Sequence, residues 1–137
     1  HGVILRGDYG AIEIGNGSAI EEGVVIHAPP KGTCWIGEKA TIGHGAIIHS
    51  KSIGDFAVIG MGVVLSVRSE IGERSIVAEG SVIKRKQKFP NGAVVAGNPA
   101  CIIRKVSSKD ENHWSKIKQL YTDLAKKYLD IGIHKLE

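Results

Sequence analysis

Large aromatic side chains are scarce: only 5% of the 137 residues are Phe, Trp or Tyr. A globular core normally buries several such rings, so this chain must fill its interior in another way. No apolar run approaches the roughly 20 residues of a membrane-spanning helix, and no secretory leader is visible. No basic run interleaved with aromatics occurs, which argues against a nucleic-acid partner despite the net charge of +4. The two cysteines, Cys34 and Cys101, lie far apart and form no Cys-x-x-Cys. A reducing cytoplasm is the simplest setting for them. Neither a helical period of 3.6 nor a strand period of 2 explains the first eighty residues.

What is present is glycine, 18 residues of it, and a period of six. Aliphatic residues open hexads at Ile14, Ile20, Ile26, Ile36, Ile42, Ile48, Ile53, Ile59, Leu65, Ile71, Val77 and Ile83. Four residues after most of them comes something small or β-branched, as at Ser18, Val24, Ala40, Ala46, Ala57, Val63, Ser75 and Ser81. Gly directly follows the aliphatic residue at 15, 37, 43, 54, 60 and 72. A hexad with one aliphatic plug reads as one side of a triangular coil. Three hexads close a turn, the plugs stack inside, and glycine passes the corner without a Cβ clash. Stacked coils then pair as parallel strands about 4.8 Å apart.

This is the hexapeptide-repeat signature, and proteins that carry it wind left-handed, against the usual crossover rule. The expectation is a single all-β domain. A left-handed parallel β-helix covers 1–106, and a C-terminal helix over 107–137 packs on it or on a neighbouring subunit. The ten-residue step from Ile26 to Ile36 predicts a loop at Pro29, Pro30 and Lys31. The pattern fades after Ile83, and Asn98-Pro99 reads as a turn. Ser108 with Glu111 is a candidate capping box. Trp114, Ile117, Tyr121, Leu124 and Tyr128 form an apolar stripe at helical spacing. Because the chain starts with His1 and inside the pattern, further coils are expected before residue 1.

Three histidines stand out. His27 follows Ile26 and His49 follows Ile48, so on adjacent coils they stack one strand spacing apart. His44 lies around a corner from them, two residues after Ile42. Two stacked imidazoles can share an ion. His44 reaches such an ion from a neighbouring copy if three prisms close a heterologous ring. His1, His113 and His134 read as surface residues. Cys34, in sequence near His27, is an outside candidate for a fourth ligand.

The stretches Leu5-Arg6-Gly7-Asp8, Val25-Ile26-His27, Ile42-Gly43-His44 through Ile48-His49, Ile59-Gly60-Met61-Gly62 and Gly97-Asn98-Pro99-Ala100 resemble the gamma-class carbonic anhydrases. That family also takes in proteins of carnitine and phenylacetate operons and some called ferripyochelin-binding. The resemblance implies a homotrimer with Zn2+ at each subunit interface, held by His27, His44 and His49. Fe2+ or Co2+ would also accept three imidazoles. It implies reversible hydration of CO2 to bicarbonate. It places Arg6 and Asp8 in the second shell or at the interface, where a purely structural ion pair is an equal reading.

The chain departs from the family in its acids. Glu21 stands where Gln is common, six residues before the first ligand, and is the candidate for orienting water. Tyr9 replaces one usual acid, and Ala28, Pro29, Pro30 and Lys31 supply none. Two alternatives stay open. One is a hexapeptide acyltransferase using acyl-CoA, which needs one His rather than three. The other is a non-catalytic, metal-binding trimeric scaffold.

Overall fold

The computed structural model describes residues 1–132, so His134 lies outside the described residues. The chain winds as a parallel β-solenoid of five coils followed by one helix. Strands β1 (Ile4–Arg6), β2 (Ala11–Ile14) and β3 (Ala19–Ile20) make the first coil. The second consists of β4 (Val25–His27), β5 (Thr33–Ile36) and β6 (Thr41–Ile42). The third consists of β7 (Ile47–Ile48), β8 (Ser52–Ile53) and β9 (Val58–Ile59). Then come β10 (Val64–Leu65), β11 (Glu70–Ile71) and β12 (Ile76–Val77), and finally β13 (Val82–Ile83), β14 (Lys88–Phe89) and β15 (Ala93–Gly97). Each coil gives one strand to each of three sheets.

Register follows the plugs. Leu5, Ile26, Ile48, Leu65 and Ile83 pair down the sheet that contains β1. Ile14, Ile36, Ile53, Ile71 and Phe89 pair down the second sheet, and Ile20, Ile42, Ile59, Val77 and Val95 down the third. The plugs from Ile26 to Ile83 are all but sealed from solvent. The small residues four places on, Ala40, Ala46, Ala57, Val63, Ser75 and Ser81, are buried with them and leave room for the turn.

Glycine is needed for a reason other than corner conformation. At Gly54 and Gly72, φ is ordinary, and a Cβ would come within 2.5 Å of Glu73 N and 2.4 Å of Asn91 N in the coil above. Positive φ falls two residues later, at Gly17, Lys39, Phe56, Arg74 and Gly92 on that same edge. Close approach of successive coils, not left-handed backbone, fixes the glycines at 15, 37, 43, 54, 60 and 72.

The pattern does not end at Ile83. Phe89 and Val95 plug one more coil, which the sequence hid because Phe replaces the aliphatic residue and Pro90 replaces the glycine. After Asn98-Pro99 the chain reverses into β16 (Ala100–Lys105), antiparallel to β15. The helix α1 (Ser108–Ile131) is capped one residue earlier than expected. Ser107, not Ser108, is the N-cap, with Asp110 rather than Glu111 as its partner. Both pairs satisfy the same spacing rule. The earlier one wins because Asp110 is also held by both terminal nitrogens of Arg104, at 2.6 and 3.0 Å.

The helix does not present its whole apolar stripe to the solenoid. Trp114, Ile117 and Tyr121 are half-buried, whereas Leu124 and Tyr128 are exposed. The residue buried at the centre is Lys118. Its ammonium donates to Lys39 O at 2.8 Å, Thr41 Oγ1 at 3.1 Å and Ala57 O at 3.3 Å, and burial lowers its pKa to about 8. All three protons have acceptors, so this lysine pins the helix across two coils. Cys34 is no ligand candidate: its thiol points into the prism, wholly buried, with Ser50 Oγ at 3.8 Å.

Candidate metal centre

β4 ends at His27, and the next residue of the adjacent strand's column is His49, which donates its backbone N–H to Leu65 O. Parallel pairing therefore stacks the two rings. His27 Nδ1 lies 3.1 Å from His49 Nε2, and the ring centroids are 4.6 Å apart at 85°. The other nitrogen of His27, Nε2, is buried and has no hydrogen-bond partner. Asp8 Oδ1 stands 3.4 Å away, not aligned for a bond. A buried polar atom left unpaired is costly, and an imidazole nitrogen in that state is suited to an ion. Burial lowers the pKa of His49, helped by His27 and Arg6, so His49 favours the neutral imidazole. Neutral imidazole is the form that ligates metal.

Asp8 is fixed by Arg6, whose Nε donates to Oδ2 at 2.8 Å. That hydrogen bond is the main reason the Asp8 carboxyl sits below the ordinary range. The pair is exposed and stands beside His27, because Arg6 and His27 are in register on β1 and β4.

His44 sits at the corner after β6, exposed and away from the pair. Its ring is held by two carboxylates: Glu21 Oε2 is 3.1 Å from Nε2 and Glu22 Oε2 is 3.0 Å from Nδ1. Glu21 also accepts the backbone N–H of His44 at 3.2 Å. Among the described residues no three His, Cys, Asp or Glu side chains of one chain gather to hold an ion. His27 and His49 are brought together, then, and His44 is not brought to them within one chain.

One residue of this site was read from sequence only as part of the helical stripe. Tyr121 reaches across from α1, and its hydroxyl donates to Glu21 Oε1. Helical spacing recorded the apolar ring and gave no sign of where the hydroxyl would land. The carboxylate keeps the phenol protonated and pushes its pKa up to about 12. The stability this adds is complete below the unfolded pKa near 10 and is lost as pH rises through 12. Tyr121→Phe is expected to cost about 1.5–3 kcal/mol, as for hydrogen bonds to charged groups, and to flatten the stability curve between those pH values. Urea unfolding measured at neutral and alkaline pH checks both; unchanged stability would mean that water replaces the hydroxyl.

No family model matches the chain. The chain is 38% identical over 122 residues to the carnitine operon protein CaiE of Escherichia coli strain K12, covering 88% of this chain and 62% of that protein. It is 32% identical over 131 residues to the mitochondrial gamma carbonic anhydrase 2 of Arabidopsis thaliana, covering 91% of this chain and 47% of that one. The chain thus spans about half to two-thirds of these relatives' lengths. The crystal structure of a hexapeptide transferase family protein from Anaplasma phagocytophilum superposes with a TM-score of 0.86 at 32% identity, covering 93% of this chain and 75% of that one.

Proposed function

This chain belongs to the hexapeptide-repeat family that includes the gamma-class carbonic anhydrases, and we propose that it hydrates CO2 reversibly at a metal site shared between subunits of a homotrimer. The observation that carries the reading is the stacked His27–His49 pair with its buried nitrogen that makes no hydrogen bond. The pair stands at the edge of a sheet whose outward column is aliphatic throughout. Ile4, Val25, Ile47, Val64 and Val82 follow one another in register, with Ile4 and Ile47 about half exposed. The corresponding column of the second sheet reads Glu13, Trp35, Ser52, Glu70 and Lys88. An apolar face beside two waiting imidazoles suits a second copy of the chain, which would bring His44.

The donor set fits zinc, which accepts three imidazoles and keeps a fourth position open. When bound, such an ion is a Lewis acid that makes water ionise near neutral pH. The chain's own residues do the rest. Glu21, held by Tyr121 and by the backbone of His44, fixes the imidazole and orients water. Glu22, the more exposed of the two carboxylates, has room to release His44 and to carry a proton to solvent. These acids follow β3 and stand in for those missing from Tyr9 and the Pro29-Pro30 loop.

Subunit complementation tests the shared site. His27→Ala and His44→Ala proteins are each expected to lose metal and CO2 hydration. Mixed and reassembled, they form some sites with all three histidines, and both properties return in part. No recovery on mixing, with both variants folded, would defeat the shared site. The family name of the Anaplasma structure favours a second reading, acyl transfer from acyl-CoA. Acetyl-CoA turnover by metal-free protein would establish that reading instead.

A further inference from the structure

The solenoid repeats its corners at constant height, and this places a second contact on the interface that completes the histidine site. At the corner that carries His44, successive coils stack Glu22, His44, Met61 and Glu79. Gly45 N donates to Glu22 O, Gly62 N to His44 O and Gly80 N to Met61 O, which joins the turns in that order. The opposite edge of the adjoining sheet carries a second column of His27, His49, Ser66 and Lys84. There His49 N donates to Leu65 O and Ser66 N to Ile83 O. Each member of the first column precedes its counterpart by five residues: 22 and 27, 44 and 49, 61 and 66, 79 and 84. The two edges of one sheet therefore carry the same set of rungs.

We infer that in the assembly Glu79 of each copy pairs with Lys84 of the next, two coils from the histidine rung. The inference rests on the shared-site reading above. A closed ring permits no translation along its axis, so copies that join His44 to His27 and His49 stand level. The rung with Met61 and Ser66 then falls one strand spacing along, and the rung with Glu79 and Lys84 about 10 Å from the histidines. Both charged residues are exposed, and among the described residues neither has an ion-pair partner within its own chain. Lys84 is followed by Arg85 and Lys86, and Lys86 N donates to Val67 O beside Arg68. None of these three cations has an acid partner among the described residues. That corner is short of negative charge, and the acid which the facing column offers at its height is Glu79. The pair does for register what the metal does for the site: it favours level copies and opposes a one-coil slip, which would set Lys84 against Met61.

Charge exchange tests the rung. Glu79→Lys, Lys84→Glu and the double exchange are compared with the unaltered chain, all zinc-loaded, by sedimentation velocity at low salt. Circular dichroism confirms that the coils persist. Each single reversal is expected to weaken the trimer on the order of tenfold by setting like charges together, and the double exchange to recover to within about threefold. Glu79→Gln, which removes the charge without adding repulsion, is expected to flatten the salt dependence of dissociation. Single variants that assemble as the unaltered chain does, or a double exchange no better than the singles, would overturn the rung while leaving the shared histidine site standing. An unaltered chain that sediments as a monomer would overturn the shared site, and the rung with it.

Discussion

Glu21→Ala protein is expected to keep its metal and to hydrate CO2 about 10²–10⁴-fold more slowly, the usual loss when a positioned acid–base group is removed. The expectation comes from how tightly the carboxylate is placed. Its side chain is only 10% exposed. One oxygen takes the Tyr121 hydroxyl, and the other takes the His44 backbone N–H and faces the His44 ring. Removing it takes away the acceptor that faces Nε2 of the ring, and leaves only Glu22 at Nδ1 to hold the imidazole, yet keeps all three histidines in the chain. Glu21→Gln keeps the shape and can still accept from Tyr121, so it separates charge from position. A rate restored by Gln would assign Glu21 to orientation; a rate as low as that of Ala would assign it to proton transfer. The measurement is stopped-flow hydration with metal content determined on the same samples. An unchanged rate in Glu21→Ala would reduce the residue to a structural link between helix and solenoid.

The second large effect is on stability. Gly54→Ala is expected to destabilise the solenoid by about 3 kcal/mol, at the upper end of the cost of overpacking. A Cβ there would meet Glu73 N at 2.5 Å and Gly72 C at 2.8 Å. Both are backbone atoms of the next coil and cannot turn aside as a side chain would. Gly62→Ala is the control. Gly62 has φ of +66° with nothing within 4 Å of the added carbon, so its cost is the left-handed strain alone, about 1 kcal/mol. Thermal or denaturant unfolding of the two variants decides the matter. Equal losses would show that backbone conformation, not the approach of successive coils, explains the glycines of the repeat.

The hexad by itself determined the solenoid. An aliphatic residue every six places, with a small residue four further on, can be buried only if each hexad is a side of a prism, and the plugs from Ile26 to Ile83 are buried accordingly. The same arithmetic put His27 above His49, because both follow a plug on the same side of adjacent coils. It lost the last coil where Phe89 and Pro90 stand in place of an aliphatic residue and a glycine, since composition rather than geometry had carried the pattern. Tertiary structure decided whatever depended on contacts distant in sequence. The capping residue was settled by Arg104 grasping Asp110, a choice between two pairs that spacing could not separate. The buried face of the helix was settled by Lys118, because carbonyls of residues 39 and 57 converge where its ammonium arrives. Tyr121 joined Glu21 across a hundred residues of chain, and both nitrogens of His44 met carboxylates that follow the strand one coil before. Local periodicity fixes the height and side of a residue in a repeating coil; where its polar atoms find partners depends on elements that the period does not relate.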